Sequence, residues 1–443
     1  MIYDQAARSA LLYLAQDLDR LLAVADAQLS SGYAGDRHGR QPVHTVYVPA
    51  HRFAANTVRL WGAEALAAQA EFAAEPAEFA EAFNLSTELA EQVLPLVQAK
   101  LADEPIEDLR IDFEDGYGTR SDDTEDAHAR AAARALASVL GADAAPPFTG
   151  IRCKSLEPKT RRRAIATIDA FLGALAEIHA ESGGSRGSSP SSQHSPPAGF
   201  VFTLPKVTSA AQVTAMTVLC ERIESAYGII HPRQLSFELQ VEMPQLIVGA
   251  DGAATIAQCI HAGGDRLIGL HYGTYDYSAA VGISAAHQRL DHPAADYAKA
   301  VMQVAAAGTG VRLSDGSSNV LPVGSRNEIV AAWQLHSRLV RRSLERGFYQ
   351  GWDLHPAQLV SRYAATYGFY REGLSAACDR LRAYAERAAA GLEEPATGRA
   401  LAAFLGRGID CGAFTEAGVA ARTGLDRDQL RSVRRTGQLP DEP

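Results

Sequence analysis

Acidic side chains follow a period-two pattern in two apolar segments of the chain. In LSFELQVE, residues 235–242, apolar residues alternate with polar ones up to Glu242, and in LRIDFED, residues 109–115, Asp112 and Glu114 share one face. Because successive side chains of a strand point to opposite faces, each segment predicts a strand with one polar face. Carboxylates that converge repel one another, and a divalent cation with a few arginines or lysines is the usual compensation. The two segments therefore predict a metal-dependent enzyme.

Further polar residues follow other apolar runs. YVPAHRF (47–53) and GTYDYSAAVG (273–282) each end a run in this way. His51, His271 and His355 all fall at the carboxyl ends of predicted strands, where a barrel places its active site. We select His51 as the acid–base residue, because imidazole titrates near neutrality and His51 follows the first strand directly.

Apolar strand segments alternate with alanine-rich helical segments along most of the chain, after a helix that we predict over residues 5–30. The predicted strands cover residues 43–49, 108–114, 148–153, 199–205, 234–242, 266–272, 319–323 and 350–354. Alternation of this kind is typical of parallel strands with crossover helices, and eight such strands favour a closed barrel. The predicted fold class is therefore α/β, a (β/α)₈ TIM barrel with an N-terminal helix and a helical C-terminal extension.

The same pattern divides the chain into three parts. Residues 1–42 form the N-terminal helix and loop, residues 43–365 the catalytic barrel, and residues 366–443 a helical extension for which we expect a lid role. Serine, glycine and proline dominate residues 182–199 without periodicity, which predicts a disordered surface insertion within the barrel.

Residues 414–435 resemble a helix-turn-helix unit, because two short helical patterns meet at Thr423 and Gly424. Acidic Asp426 and Asp428 stand where a recognition helix would approach phosphate. We therefore favour a lid or packing role for this segment over DNA binding.

The composition narrows the class of partner. The 443 residues carry a formal net charge of −10 and no dense basic run, which argues against nucleic acid and membrane surfaces and favours small molecules. The five cysteines are scattered and form no CxxC pair, so neither a disulfide framework nor a zinc cluster is indicated. The N-terminal segment is typical of an amphipathic helix rather than a signal peptide, and we expect a cytoplasmic protein.

Seven motifs occur in a consistent order along most of the chain. They are VYVPAHRFA, DFEDGYG, IRCKS, FTLPKVTSAAQV, VEMPQ, GTYDYSAAVG and GWDLHPAQL. In this order they resemble the HpcH/HpaI aldolase and citrate lyase β-subunit superfamily, a group of TIM barrels that act on phosphoenolpyruvate- or pyruvate-type compounds. The resemblance spans residues 43 to about 360 and implies a carbon–carbon lyase in which Mg²⁺ (or Mn²⁺) is the cofactor.

The resemblance also implies roles for individual residues. Glu242 and Asp276 match the positions that bind the metal, and Arg152 matches an arginine that contacts the substrate and stabilises a developing enolate oxygen. The remaining residues with implied or expected roles are Asp112, Glu114 and Asp115 as contacts to metal-bound water, and Lys154, Lys206 and His355 as substrate contacts. In GTYD a phenol, Tyr275, stands where related sequences often have a carboxylate, which leaves the use of a coenzyme A thioester open.

The function expected from the sequence is a Mg²⁺-dependent lyase or aldolase that acts through a metal-stabilised enolate of a 2-keto acid or an acyl thioester. The resemblance also implies a homo-oligomer, in which residues 366–443 would be an oligomerisation element. Two alternatives stay open: a Schiff-base aldolase that uses Lys154 or Lys206, and a non-catalytic ligand-sensing barrel whose residues 414–435 bind DNA.

Overall fold

The computed structural model describes residues 5–37, 39–142, 145–181, 199–229, 235–388 and 394–439. The insertion predicted at residues 182–199 lies outside these ranges except for its last residue.

Eight parallel strands close a barrel in sequence order, β1 to β8, with β8 paired to β1. The strands are β1 (His44–Pro49), β2 (Asp108–Asp112), β3 (Phe148–Arg152), β4 (Val201–Leu204), β5 (Ser236–Val241), β6 (Leu267–Tyr272), β7 (Arg312–Ser317) and β8 (Gln350–Asp353). The predicted TIM barrel is confirmed, and seven of the eight strands lie where the sequence placed them.

Helices cover the outside of the barrel and continue beyond it. Among the described residues they are α1 (Gln5–Gly32), α2 (Thr57–Phe72), α3 (Pro76–Phe83), α4 (Thr87–Asp103), α5 (Asp122–Leu140), α6 (Arg161–Glu181), α7 (Ala210–Ala226), α8 (Pro244–Ile247), α9 (Thr255–Gly263), α10 (Thr274–Ala280), α11 (Pro293–Ala306), α12 (Arg326–Glu345), α13 (Pro356–Ala388), α14 (Pro395–Asp410), α15 (Glu416–Thr423) and α16 (Arg427–Thr436). None of these described helices is both long and apolar enough to cross a membrane.

The seventh strand corrects the sequence prediction. It was expected at residues 319–323, but Val320 and Val323 are about half exposed in the loop that follows β7. The true strand, RLSDGS, is polar, and its carboxylate Asp315 is buried. Asp315 accepts hydrogen bonds from the ammonium of Lys299 at 3.0 Å and from the hydroxyl of Ser343 at 2.6 Å. These partners on α11 and α12 compensate the buried charge of Asp315. Because they lie on other elements, the hydrophobic pattern of the segment itself does not reveal them.

An ionic layer fills the middle of the barrel below the strand ends. The guanidinium of Arg110 donates to both carboxylate oxygens of Glu238, each at 3.0 Å, and also pairs with Asp108. His271 lies 2.9 Å from the same carboxylate of Glu238, so its imidazole belongs to this buried layer. Arg110 holds the pKa of Glu238 well below its ordinary value despite burial.

The C-terminal extension begins directly after β8. Helix α13 packs against α2, α4 and α12 of the barrel and against α14 and α15 of the extension. The two short helices predicted within residues 414–435 are confirmed as α15 and α16, and Gly424 between them has a φ of 75°, a left-handed conformation that favours glycine. The boundaries of the three predicted parts, and a lid or oligomerisation role for the extension, stay predictions.

We expect Asp315→Ala to lower the free energy of unfolding by about 3–5 kcal/mol, because it leaves the buried ammonium of Lys299 without its carboxylate. Urea denaturation followed by circular dichroism measures the change. Asp428→Ala is the control, since it removes a carboxylate from an exposed ion pair with Arg431 and costs less than about 1 kcal/mol. Equal losses in the two variants would contradict the structural role of Asp315.

Candidate active site

Three carboxylates from different parts of the chain meet at the carboxyl ends of the strands. Asp115 lies in the loop after β2, Glu242 directly follows β5, and Asp276 lies on α10 after β6. One oxygen of each lies within 4.8 Å of the others. The side chain of Glu242 is fully buried, whereas those of Asp115 and Asp276 are about half exposed (52% and 47%). The acid cluster, defined as these three residues, therefore opens to solvent on one side.

The ammonium of Lys206 lies within the acid cluster. Its Nζ is 2.6 Å from Asp276 Oδ2 and 3.3 Å from both Glu242 Oε2 and Asp115 Oδ2. Lys206 follows β4 and has a φ of 54°, a left-handed conformation that is uncommon for a residue with a side chain. Residues with such strained backbone conformations are frequent at functional sites, where contacts with the surrounding structure hold them in place. Burial opposes the charged form, but Glu242 and Glu114 raise the pKa of Lys206, so the ammonium keeps its proton.

Glu242 is the most strongly perturbed member of the acid cluster. Its Oε1 accepts a hydrogen bond from the backbone amide of Lys206 at 2.7 Å. Within the described residues, its buried Oε2 accepts no hydrogen bond. Burial, with a smaller contribution from Glu114 and Asp276, raises the pKa of Glu242 to about 8, although Lys206 acts in the opposite direction. Ionised Glu242 is therefore costly until a further cation approaches.

Two glycines allow the backbone to approach the carboxylates closely. A Cβ atom at Gly273 would lie 2.6 Å from the Cβ of Glu242, and one at Gly116 would lie 2.8 Å from Oδ2 of Asp112. Either contact is shorter than real Cβ atoms tolerate. The glycines of the GTYD and DFEDG motifs are thus required by packing around the site.

Arg152, the last residue of β3, is buried and held on several sides. Its Nε and Nη2 donate to the two carboxylate oxygens of Asp112 at 2.7 and 2.8 Å, and Nη1 donates to Gln240 Oε1 at 3.0 Å. The rings of Tyr47 and Trp352 face the guanidinium at 4.9 and 5.4 Å. Bidentate pairing and ring contacts fix the orientation of this cation.

These residues fit a divalent cation. Arg152 pairs closely with Asp112 and lies farther from Glu114 (3.4 Å) and Asp115 (3.8 Å), while the ammonium of Lys206 lies among Glu114, Asp115, Glu242 and Asp276. Among the described residues, five carboxylates therefore share these two cations. Carboxylate oxygens are the hard ligands that Mg²⁺ prefers, and a set of three leaves coordination positions for water and substrate. The buried Oε2 of Glu242 is the strongest sign, because it accepts no hydrogen bond among the described residues, although the ammonium of Lys206 lies 3.3 Å away. The structure also brings Asp115, expected to contact only metal-bound water, into the group of potential direct ligands.

Glu114 lies at the edge of this group. Its carboxylate is 3.4 Å from Nη1 of Arg152 and 3.8 Å from Nζ of Lys206. Burial raises the pKa of Glu114 to about 7, with Asp115 adding to the effect and Arg152 opposing it. The contact to metal-bound water that the sequence suggested for Glu114 stays a prediction.

The structure gives Lys154 and His355 other partners. The ammonium of Lys154 lies 2.8 Å from the Phe113 carbonyl and 3.2 Å from Glu125, so it fixes the loop after β2. Nδ1 of His355 accepts a hydrogen bond from the amide of Ala357 at the start of α13. The substrate contacts predicted for these two residues stay predictions, and only the second ring nitrogen of His355 is left for such a contact.

His51 is exposed in the loop after β1. Its ring centroid lies 5.6 Å from that of Tyr117 and 6.3 Å from that of His128. Slight burial and the nearby cations Arg120 and Arg52 lower the pKa of His51, which is therefore neutral at pH 7.

Sequence reasoning missed three residues that surround Arg152. Gln240 could have been found, since it lies on the polar face of LSFELQVE between Glu238 and Glu242. Tyr47 and Trp352 come from β1 and β8, which pair with each other as the barrel closes, and their ring centroids are 4.2 Å apart. No local pattern shows that these rings meet beside an arginine from β3.

Comparisons with known proteins support the fold. Residues 22–437 match the model of a family described as "Domain of unknown function (DUF6986)". No curated protein matches the sequence. The structure is similar to a crystal structure of a citrate lyase from Burkholderia xenovorans, with a TM-score of 0.54 and 19% identity over 87% of this chain and 97% of that chain.

Two further structures show weaker similarity. One is Haloferax volcanii malate synthase in a magnesium/glyoxylate complex, with a TM-score of 0.47 and 13% identity over 74% of this chain and 76% of that chain. The other is the citrate lyase β subunit of Mycobacterium tuberculosis complexed with oxaloacetate and magnesium, with a TM-score of 0.39 and 18% identity over 73% of this chain and 96% of that chain. The similarity to the Burkholderia structure confirms the fold that the resemblance to the HpcH/HpaI aldolase and citrate lyase β-subunit superfamily implied.

We expect Glu242→Gln to weaken Mg²⁺ binding by at least about tenfold, because the substitution keeps the shape of the side chain but cannot ionise to give the carboxylate ligand that a bound cation needs. Isothermal titration calorimetry measures the dissociation constant. Glu91→Gln, which removes an exposed carboxylate from α4, is the matched control. Unchanged affinity in Glu242→Gln would exclude this residue as a ligand.

Mg²⁺ affinity should rise with pH. Because the pKa of Glu242 is about 8, the carboxyl group holds a proton at neutral pH and must release it to a bound cation. Affinity is therefore expected to increase by about tenfold per pH unit between about pH 6 and pH 8, and to level off above that range. Calorimetry in buffers of different ionisation enthalpy counts the released proton. An affinity that does not vary across this range would be inconsistent with the protonated state of Glu242.

Proposed function

The chain belongs to the family described as "Domain of unknown function (DUF6986)", and we propose that it is a Mg²⁺-dependent carbon–carbon lyase or aldolase acting on a 2-keto acid or an acyl thioester. The observation that carries this proposal is the acid cluster of Asp115, Glu242 and Asp276 at the carboxyl ends of the barrel strands, with the fixed guanidinium of Arg152 beside it. Barrel enzymes place their catalytic residues at this end of the strands.

Asp115, Glu242 and Asp276 would hold the cation through their carboxylate oxygens. When bound, Mg²⁺ supplies Lewis-acid polarisation of a substrate carbonyl. A 2-keto acid offers neighbouring carbonyl and carboxylate oxygens, which suit the coordination positions left open by three protein ligands. This complementarity supports a keto acid as the substrate class.

Arg152 would stabilise the negative charge that develops on the carbonyl oxygen as the carbon–carbon bond breaks. Its guanidinium is already oriented by Asp112 and Gln240 and flanked by two aromatic rings. A donor fixed before reaction needs no reorganisation in the transition state, which makes its electrostatic contribution large.

The cleavage step for a 4-hydroxy-2-keto acid needs one base. His51 is the proposed base, because its lowered pKa leaves the imidazole neutral and able to accept the proton of the C4 hydroxyl. The C3–C4 bond then breaks, an aldehyde leaves, and the electron pair moves into the C2 carbonyl to give the enolate of the shorter keto acid. The proton that His51 took from the C4 hydroxyl is then returned, directly or through water, to C3 of the enolate, which restores neutral His51, and condensation follows the same path in reverse.

The state of Lys206 argues against this residue as the amine of the Schiff-base alternative, and Lys154 stays open as the other candidate. An amine must lose its proton to attack a carbonyl, whereas Glu242, Glu114 and Asp276 keep Lys206 protonated. We propose instead that its ammonium holds the carboxylates together before a cation binds. Sodium borohydride with pyruvate tests this point, since a covalent adduct on Lys206 detected by mass spectrometry would favour the Schiff-base mechanism.

The proposed function is tested by measuring turnover in the presence of Mg²⁺. One set of assays follows the cleavage of 4-hydroxy-2-keto acids or the condensation of 2-keto acids with aldehydes, and a second set follows the same reactions with acyl thioesters. We expect Arg152→Lys to lower kcat by about 100- to 1000-fold, because lysine keeps the charge but loses the forked geometry. Mg²⁺ affinity should change little in this variant. Arg163→Lys, in an ion pair with Asp126 on α5, is the control. Full turnover in Arg152→Lys would remove this residue from the mechanism.

A further inference from the structure

A second cavity lies at the opposite end of the barrel from the acid cluster. Its volume is about 200 Å³, and it lies between the amino ends of the strands and the helical extension. Its walls come from three loops and three helices. The loops are the segment before β1, the loop that leads into β7 together with the start of that strand, and the loop before β8, and the helices are α13, α14 and α16. The cavity therefore joins segments that are far apart in sequence. It is smaller than the roughly 300–1,000 Å³ of a pocket for a drug-sized ligand, so it suits a small molecule.

Four arginines line this cavity: Arg37, Arg312, Arg407 and Arg434. The acidic residues in its lining are Asp36 and Asp410. Positive charge is therefore concentrated here, although the whole chain has a formal net charge of −10.

The two acidic residues compensate only part of this charge. Asp410 is 3.1 Å from Arg427, which does not line the cavity. Asp36 lies 3.6 Å from Arg434 and 4.0 Å from Arg407, so one exposed carboxylate serves two guanidiniums at the outer limit of an ion pair.

Two of the arginines in the lining are positioned by contacts with neighbouring groups. The guanidinium of Arg407 stacks over the ring of Tyr349, with its central carbon 3.9 Å from the ring centroid. One nitrogen of Arg312 donates to the carbonyl of Gly39 at 3.2 Å. A guanidinium has five N–H donors, and the ring contact of Arg407 uses none of them.

The electrostatic environment agrees with this geometry. Burial, together with the positive charges of Arg37 and Arg434, lowers the pKa of Arg312 to about 10. The guanidiniums therefore repel one another across the cavity, and an anion between them would relieve that repulsion.

We propose that this cavity is a binding site for a small multivalent oxyanion, either a phosphate compound or a polycarboxylate. Guanidinium groups match both chemistries through paired N–H donors. Because the lining comes from both the barrel and α14 and α16, the bound anion would also stabilise the attachment of the extension. The inference does not depend on the chemistry at the acid cluster, which repels anions in the absence of a divalent cation.

The test uses the full chain at low ionic strength without divalent cations, with inorganic phosphate, pyrophosphate and citrate as separate probes. We expect saturable binding by calorimetry with a dissociation constant below about 1 mM for at least one probe, and a higher melting temperature at saturation. Tighter binding of pyrophosphate than of citrate would identify a phosphate compound, and the reverse order would identify a polycarboxylate.

Matched variants separate this site from general attraction to a charged surface. Arg312→Gln and Arg434→Gln should each weaken binding by at least tenfold, whereas Arg435→Gln, at an exposed neighbouring position on α16 outside the lining, should not. Melting curves recorded without anion identify a variant that has lost its fold. In that case Arg434→Lys provides the second measurement. It keeps the positive charge but loses the paired N–H donors of the guanidinium, and it should bind the anion more weakly than the wild type. The proposal is overturned if no probe binds saturably to the wild type, or if Arg435→Gln weakens binding as much as the lining variants.

Discussion

The structure depends on the compensation of carboxylates that a closed barrel forces together. Strand side chains alternate between the two faces, so Asp108, Asp112 and Glu114 from the β2 region and Glu238 and Glu242 from the β5 region all share the inner side. Carboxylates taken out of water need cations and hydrogen bonds close by. Each level of the interior meets this requirement differently.

The compensation becomes weaker toward the carboxyl ends of the strands. In the middle layer the fully buried guanidinium of Arg110 serves Glu238 and Asp108. One level higher, Arg152 forms a bidentate pair with Asp112. At the open end, the acid cluster and Glu114 surround the ammonium of Lys206, and Arg152, already paired with Asp112, approaches only Glu114 at 3.4 Å and Asp115 at 3.8 Å. The excess of negative charge is thus confined to the level that solvent, a cation and a substrate can reach.

The two ends of the molecule have opposite electrostatic character. The carboxyl ends of the strands collect carboxylates, and the cavity at the amino ends collects arginines. The first arrangement attracts a divalent cation, and the second attracts an anion. Since the two sites share one barrel and the second also involves α14 and α16, the extension is part of a charged site as well as a packing element.

Much of the fold can be predicted from the hydrophobic pattern of each segment, but β7 shows that this pattern does not locate every strand. Seven strands were located because their apolar residues face the surrounding helices, a requirement that each segment meets by itself. β7 was misplaced because Asp315 is buried through Lys299 on α11 and Ser343 on α12. A polar segment can form a buried strand only when such partners lie next to it. These partners come close to the strand only once the barrel and its helices have assembled.

The sequence by itself determined which carboxylates share the inner face, because the two-residue period of a strand is local, and it indicated Glu242, Asp276 and Arg152 through the order of the motifs. Only the tertiary structure decided which charges meet. It placed Lys206 inside the acid cluster, Asp115 within reach of Glu242, and Lys154 in a loop contact. The physical reason is that a charge is compensated by its nearest neighbours in space, and closing the barrel brings together strand ends that are more than a hundred residues apart in the chain.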